Sequence, residues 1–319
     1  MPFTLDPAIG AALAAQMGPD PPPPLAVGDV QGRRRQLDLF FSGVVNQLPD
    51  PQDVSTQDFT TQAEDGHTLT LRWFTKTGTQ PPGSAVLYAH GGGMIALGLK
   101  HYDQIIKRYV SRTGVPFLLV DYRLAPEVQA PIPVTDTYTG LRYLHSHASD
   151  LGIQPSRIAI MGDSAGGGIT ASLAHYIKLR GGGPPVAKQI LIYPMLDDRN
   201  TAPDPLLSPF LTWTTADNAT GWTALLGARI GADDVNVLEA AGRMTAAEAR
   251  GLPPAYIDVG GLDLFRDESI EYARTLGKGG VSVELHVIPN APHAFEGFAP
   301  EAEISRFVMD MREKVIKSI

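Results

Sequence analysis

From about residue 57 the chain alternates short β-branched or aliphatic runs with helix-like segments, and this alternation most restricts the folds open to it. Candidate strands are Gln57–Ala63, Leu69–Lys76, Ala85–His90, Phe117–Asp121, Ile158–Gly162, Gln189–Tyr193, Ala255–Gly260 and Val283–Ile288. Glu64-Asp65-Gly66-His67 is a hairpin signal joining the first two. Helical patterns fill the gaps between the later runs, at Tyr102–Thr113, Val134–Ser149, Ala165–Arg180, Asp267–Leu276 and, after the last of them, Pro300–Lys317. Strand followed by helix, repeated, predicts an α/β fold with about eight strands in a mostly parallel sheet, covered on both faces.

Composition removes several classes of function. With 319 residues, 43% of them hydrophobic, the chain can bury a large core. Its formal charge of -8 leaves no broad basic surface, so neither nucleic acid nor an anionic membrane is an expected partner. The absence of Cys removes disulfides, thiolate metal sites and cysteine nucleophiles together. No apolar run approaches the roughly 18 residues of a membrane span. The stretch Ala8–Met17 is preceded by Asp6 rather than by Lys or Arg, so it reads as a short helix, not a secretory signal, and a cytoplasmic location is expected.

Two regions interrupt the alternation. One runs to about residue 48, is broken by Pro19 and Pro21–Pro24, and ends in the apolar Leu37–Val45. The proline run reads as a stiff connector. The other, residues 199–250, is far longer than an ordinary strand-to-strand connection and carries Phe210, Trp213 and Trp222. Such insertions over the carboxyl edge of a parallel sheet commonly form a lid, so residues 1–48 and 199–250 are expected to cap a core built from 49–198 and 251–319.

Gly162-Asp163-Ser164-Ala165-Gly166 matches G-x-S-x-G, a pattern that chance supplies about 0.15 times in a chain of this make-up. Its context is more specific, since it follows the buried run Ile158–Met161 and opens a helix, the strand–turn–helix of a nucleophile elbow. Small residues at both ends are expected to let the backbone take the strained turn that exposes the Ser hydroxyl. That hydroxyl needs a base, normally a His oriented by a carboxylate, in the chain order Ser, Asp, His. Asp263 and His293 each follow a candidate strand and open at the same sheet edge. Asp267 and Glu268 compete for the acid role, but they fall in the next helix, where a dipole role is simpler. His90-Gly91-Gly92-Gly93 ends another strand, with about 0.01 occurrences expected by chance. Amides in such a run can face a developing oxyanion because no Cβ blocks the approach. A phosphate cradle is the poorer reading: neither glycine cluster gives G-x-x-x-x-G-K-[ST], and no G-x-G-x-x-G is present.

From about Leu39 onward these parts resemble the bacterial hormone-sensitive-lipase-like carboxylesterases (family IV) of the α/β-hydrolase superfamily. The resemblance rests on His90-Gly91-Gly92-Gly93, Tyr122-Arg123-Leu124-Ala125-Pro126-Glu127, the Ser164 pentapeptide, Tyr193-Pro194, the segment Asp263–Glu268 and His293-Ala294-Phe295, in that order. It implies Ser164 as nucleophile, His293 as base, Asp263 as its partner, and an oxyanion hole from the N–H groups of Gly91, Gly92 and Ala165. His90 would brace the loop, and Tyr122–Glu127 would shape the wall behind the site. Met94, Asp163, Phe210, Trp213 and Trp222 are candidate substrate-binding residues. Met94 stands where an aromatic is common and Val128-Gln129-Ala130 replaces a His-Pro-aromatic run, so substrate preference is not carried over. The resemblance implies cleavage of small esters of short to medium acyl chain, without metal or cofactor, and a homodimer through the last strand. An amidase, a lactonase or a carbamate hydrolase would use the same triad; a non-catalytic receptor on this fold would lack His293. His145 and His147 lie two apart on a presumed helix and read as surface residues rather than metal ligands.

Overall fold

Each candidate run becomes a strand of one sheet in the computed structural model, which describes residues 3–17, 23–45 and 48–319. The strands are β1 (Val54–Gln62), β2 (Thr68–Lys76), β3 (Ala85–Ala89), β4 (Phe117–Val120), β5 (Ile158–Asp163), β6 (Gln189–Ile192), β7 (Ala255–Gly260) and β8 (Val283–Ile288). They lie in the order β1-β2-β4-β3-β5-β6-β7-β8. β1 pairs antiparallel with β2 and β2 with β4, whereas every later pair is parallel. The hairpin forms as its sequence predicts: Ala63 N–H donates to His67 O, and Gly66 takes φ 82°. β3 to β7 are buried along their whole length, which is why they read as unbroken aliphatic runs, while β1 at the edge is mostly polar and exposed.

Helices cover both faces. Ile132–Ser146, Ala165–Leu179 and Arg266–Lys278 pack on one side, with Leu141, Leu173 and Leu276 fully or almost fully buried against Leu87, Leu118 and Ile257. Leu99–Thr113 and Glu303–Lys317 pack on the other, where Ile106 and Val308 meet the opposite side chains of the sheet, Val86 and Leu119 among them. The helix expected at Pro300–Lys317 begins at Glu303, and a separate turn of helix at Phe295–Phe298 precedes it. Gly114, at φ 73°, ends Leu99–Thr113 in the left-handed conformation.

The N-terminal segment contributes helices Pro7–Met17 and Val30–Val45. Asp6 Oδ1 accepts from the N–H groups of Ala8 and Ile9, and Asp29 Oδ1 from that of Gly32, so each helix begins at an Asp cap. Pro19, Pro21 and Pro22, most of the expected connector, fall outside the described residues. Between β6 and β7 the chain makes a 3-10 turn at Ser208–Phe210, the helix Thr215–Leu226 with a Thr214/Asp217 capping box, and the short helix Ala246–Ala249. The two irregular regions meet: Arg33 Nε donates to Asp217 Oδ1 at 2.8 Å, and the N–H of Gly28 donates to Thr220 Oγ1 at 2.9 Å. Among the described residues no helix is long and apolar enough to cross a membrane.

Candidate active site

β5 delivers Ser164 to the carboxyl edge of the sheet and the helix Ala165–Leu179 leads away from it, so the nucleophile candidate sits in the turn between them. Ser164 has φ 53° and ψ -120°, a conformation L-residues avoid. Its backbone is held from three sides: its N–H donates to Ile192 O, and its carbonyl accepts from Gly168 and Met195. The flanking glycines do a different task from the one expected of them. Neither Gly162 nor Gly166 has a positive φ; a Cβ on Gly166 would run into the carbonyl of Ala89, and one on Gly162 into the carbonyl of Gly166. They permit close approach, and the strain resides in the serine itself.

His293 Nε2 lies 3.0 Å from Ser164 Oγ, and His293 Nδ1 lies 2.7 Å from Asp263 Oδ2. The other carboxylate oxygen of Asp263 accepts from the N–H of Phe265 at 2.9 Å, and the side chain is fully buried. The rings of Phe265 and Tyr193 meet the imidazole edge-on, at 5.1 and 4.6 Å between centroids. The competing acids are occupied elsewhere. Asp267 pairs with Arg266 at the surface, whereas Glu268 is half-buried, accepts from the N–H of Leu196 and from Asn200 Nδ2, and has its carboxyl pushed up to about 8 by desolvation.

The glycine loop corrects one expectation. The Gly91 N–H donates to Tyr102 Oη at 2.8 Å and to Asp163 Oδ1 at 3.1 Å, so it is turned into the protein and withdrawn from any oxyanion. Asp163 likewise does not stand free for substrate. Its carboxylate accepts from Tyr88 Oη at 2.8 Å and Tyr102 Oη at 2.6 Å, and burial raises its pKa while both hydroxyls lower it. Asp163 therefore anchors the loop that the resemblance assigned to the oxyanion. The amides of Gly92, Gly93 and Ala165 have no acceptor among the described residues. His90 braces the loop as expected: its Nδ1 lies 2.8 Å from Gly91 O, and its ring stacks on Tyr122 with 4.2 Å between centroids. Burial lowers its pKa to about 4, which keeps it neutral.

Met94 and Trp222 line a small void of about 10 Å³, room for about one water molecule, with Gly168, Ile169 and Met195, whose N–H donates to Ser164 O. Trp213 is buried against Gly93, and Phe210, partly buried, ends the 3-10 turn just before it. Three contributors were not visible in the sequence. Arg34 of helix Val30–Val45 donates to the carbonyls of Ile95 and Ala125 and pairs with Glu127, tying the N-terminal helix to the glycine loop. Asn200 donates to Leu264 O beside the acid, and Thr212 Oγ1 donates to His293 O. The only signal for the first was the run Arg33-Arg34-Arg35 in an acidic chain; the other two come from irregular backbone and carried none.

A buried serine–histidine–aspartate relay at the carboxyl edge of an eight-stranded sheet defines the serine hydrolases of the α/β type. The chain belongs to the α/β-hydrolase fold family, whose pattern matches residues 86–297. Carboxylesterase NlhH of Mycobacterium tuberculosis is 35% identical over 217 residues, covering 67% of each chain. Ethyl acetate hydrolase of Pseudomonas putida is 29% identical over 282 residues, 85% of each. Among solved structures, a bacterial heroin esterase superposes with a TM-score of 0.87 at 33% identity, covering 99% of this chain and 98% of the other.

Proposed function

We propose that this protein is a carboxylesterase that cleaves small esters through an acyl-enzyme on Ser164. The observation that carries the reading is the continuous hydrogen-bonded run from Ser164 Oγ through His293 to Asp263, on a serine held at positive φ. His293 Nε2 takes the Ser164 proton as Oγ attacks the ester carbonyl, then returns it to the leaving alcohol; water activated by the same nitrogen releases the acid. Asp263 accepts from Nδ1–H, fixes the tautomer and stabilises the imidazolium that forms. The oxyanion is received by the amides of Gly92, Gly93 and Ala165, which replaces the set that included Gly91. The relatives named for carboxylesters, ethyl acetate and heroin support an ester as substrate.

The segments at the N-terminus and between β6 and β7 act together as the cap in this reading, supported by the Arg33–Asp217 pair that joins them. A homodimer through β8 is supported by its position at the end of the sheet and by Val287, 40% exposed there. Turnover of p-nitrophenyl acetate tests the activity, with p-nitroacetanilide as the amide control. Ser164→Ala should lose on the order of 10⁶ in kcat, and an organophosphate should label Ser164 alone. A folded Ser164→Ala variant with a tenth of the wild-type rate would falsify the assignment.

A further inference from the structure

His293 hangs from an unusual stretch of backbone. Between β8 and the turn of helix Phe295–Phe298, both Asn290 (φ 61°) and Ala294 (φ 55°) occupy the left-handed region without being glycine. Such residues persist only where the surroundings over-determine them. Ahead of the histidine the restraint comes from the acid loop, because the N–H of Leu262 donates to Ala291 O at 2.9 Å. Behind it, at the peptide joining His293 to the left-handed Ala294, the carbonyl of His293 accepts from Thr212 Oγ1 at 2.7 Å, its one donor among the described residues.

Thr212 is itself held in place. It belongs to the long connection between β6 and β7, and the next residue, Trp213, is buried against Gly93. Thr214 follows as the cap of helix Thr215–Leu226, in a reciprocal box with Asp217. Asp217 in turn accepts from Arg33, which is 1% exposed and donates also to the carbonyls of Ala26 and Asp29. A hydroxyl fixed this firmly is a reference point for the base loop. The connection therefore does more than cover the site.

We infer that Thr212 is a positioning residue for the hydrolytic reaction, holding the His293–Ala294 peptide, and through it the imidazole, at the distance from Ser164 that proton transfer needs. The inference rests on the proposed role of His293 as base. Thr212 touches neither the substrate nor a reacting atom in this account. Its effect must then appear in kcat, because base and nucleophile have to meet in a near-attack geometry, where a displacement of about 1 Å can cost about 10²-fold. KM, set by the groups that touch the ester, should stay near the wild-type value.

Thr212→Val keeps the shape and the γ-methyl but removes the donor; Thr212→Ser keeps the donor and removes the methyl. On p-nitrophenyl acetate, Thr212→Val should lower kcat by about 10- to 100-fold with KM within about threefold, and should slow organophosphate labelling of Ser164 in proportion, since both steps use the same base. Thr212→Ser should restore kcat to within about threefold of wild type, an outcome that loss of packing alone would not give. Melting temperatures of both variants separate unfolding from misplacement, and Thr212→Ala repeats the measurement should the valine variant not fold. The inference is overturned if the hydroxyl-free variant keeps kcat within about threefold, if only its KM changes, or if the serine variant is as slow as the valine one. Ser164→Ala is assayed alongside: residual turnover there defeats the triad reading itself, whereas an inactive Ser164→Ala beside a fully active Thr212→Val defeats only the role given to Thr212.

Discussion

Trp213 closes over Gly93: a Cβ built on that glycine would stand 2.5 Å from Trp213 Cη2 and 2.7 Å from its Cζ2. The connection between β6 and β7 thus bounds the glycine loop directly, and a Cβ built on Gly221 of the helix that follows would stand 2.7 Å from the Gly93 carbonyl oxygen. Gly93 also has φ 64°, so two independent constraints demand glycine there.

Gly93→Ala should therefore misplace the oxyanion donors. Losing one such donor costs about 10²- to 10³-fold in kcat, and a fall of that size on p-nitrophenyl acetate is expected. Adding Trp213→Ala relieves the collision but not the backbone conformation, so the double variant should recover only part of the loss. A Gly93→Ala enzyme with wild-type kcat would remove this glycine from the oxyanion hole.

Asp163 offers a second test, because its carboxylate is committed to Tyr88, Tyr102 and the Gly91 amide. Tyr102→Phe deletes the hydroxyl shared between Asp163 and Gly91. It should lower kcat by about tenfold through a looser glycine loop and leave KM for a series of acyl chain lengths nearly parallel to wild type. A change in chain-length preference instead would return this cluster to the substrate-binding surface.

The acid is tested by comparing Asp263→Asn with Asp267→Asn. The first should cost on the order of 10⁴ in kcat by favouring the wrong imidazole tautomer. The second removes a surface partner of Arg266 and should stay near wild type, with a change in stability of about 0.5 kcal/mol or less. Steady-state rates with one ester decide it, and reversed results would move the acid four residues along the chain.

The convergence of Ser164, Asp263 and His293 was legible because each follows a candidate strand by a few residues, where the alternation of strand and helix already fixes the edge. Which amides of a glycine run turn inward was not legible. That choice is made by Tyr102 and Asp163, which accept from the Gly91 N–H, and by Tyr88, which donates to Asp163, each from a separate element. The start of helix Val30–Val45 was hidden for a related reason. Arg33 and Arg34 break the apolar pattern there, yet Arg33 is buried because Asp217, 184 residues away, receives it. Thr212 and Asn200 act on backbone carbonyls from irregular segments, and no periodicity marks such contacts.

Acid should weaken the fold through two buried histidines. His90 and His175 are 0% and 2% exposed, and desolvation lowers each to about 4. In the unfolded chain a His titrates near ~6.5, so between those values the unfolded state binds the proton and the folded state does not. The stabilisation is present above about pH 6.5 and is lost as pH falls toward 4, amounting to about 2 kcal/mol per histidine by pH 5. Glu268, pushed up to about 8, and Asp163, raised by burial, act in the opposite sense over the same window, gaining protons in the folded state as pH falls. The wild-type slope alone therefore mixes both effects, and a difference between variants is needed. His175 lies in helix Ala165–Leu179 with Nε2 unpartnered among the described residues, so His175→Leu removes its titration without deleting a hydrogen bond at that nitrogen. Urea denaturation at pH 7.5 and 5.0 should find the variant less acid-sensitive than wild type by about 2 kcal/mol. Equal losses in the two proteins would mean that His175 takes up its proton as readily in the fold as in the unfolded chain.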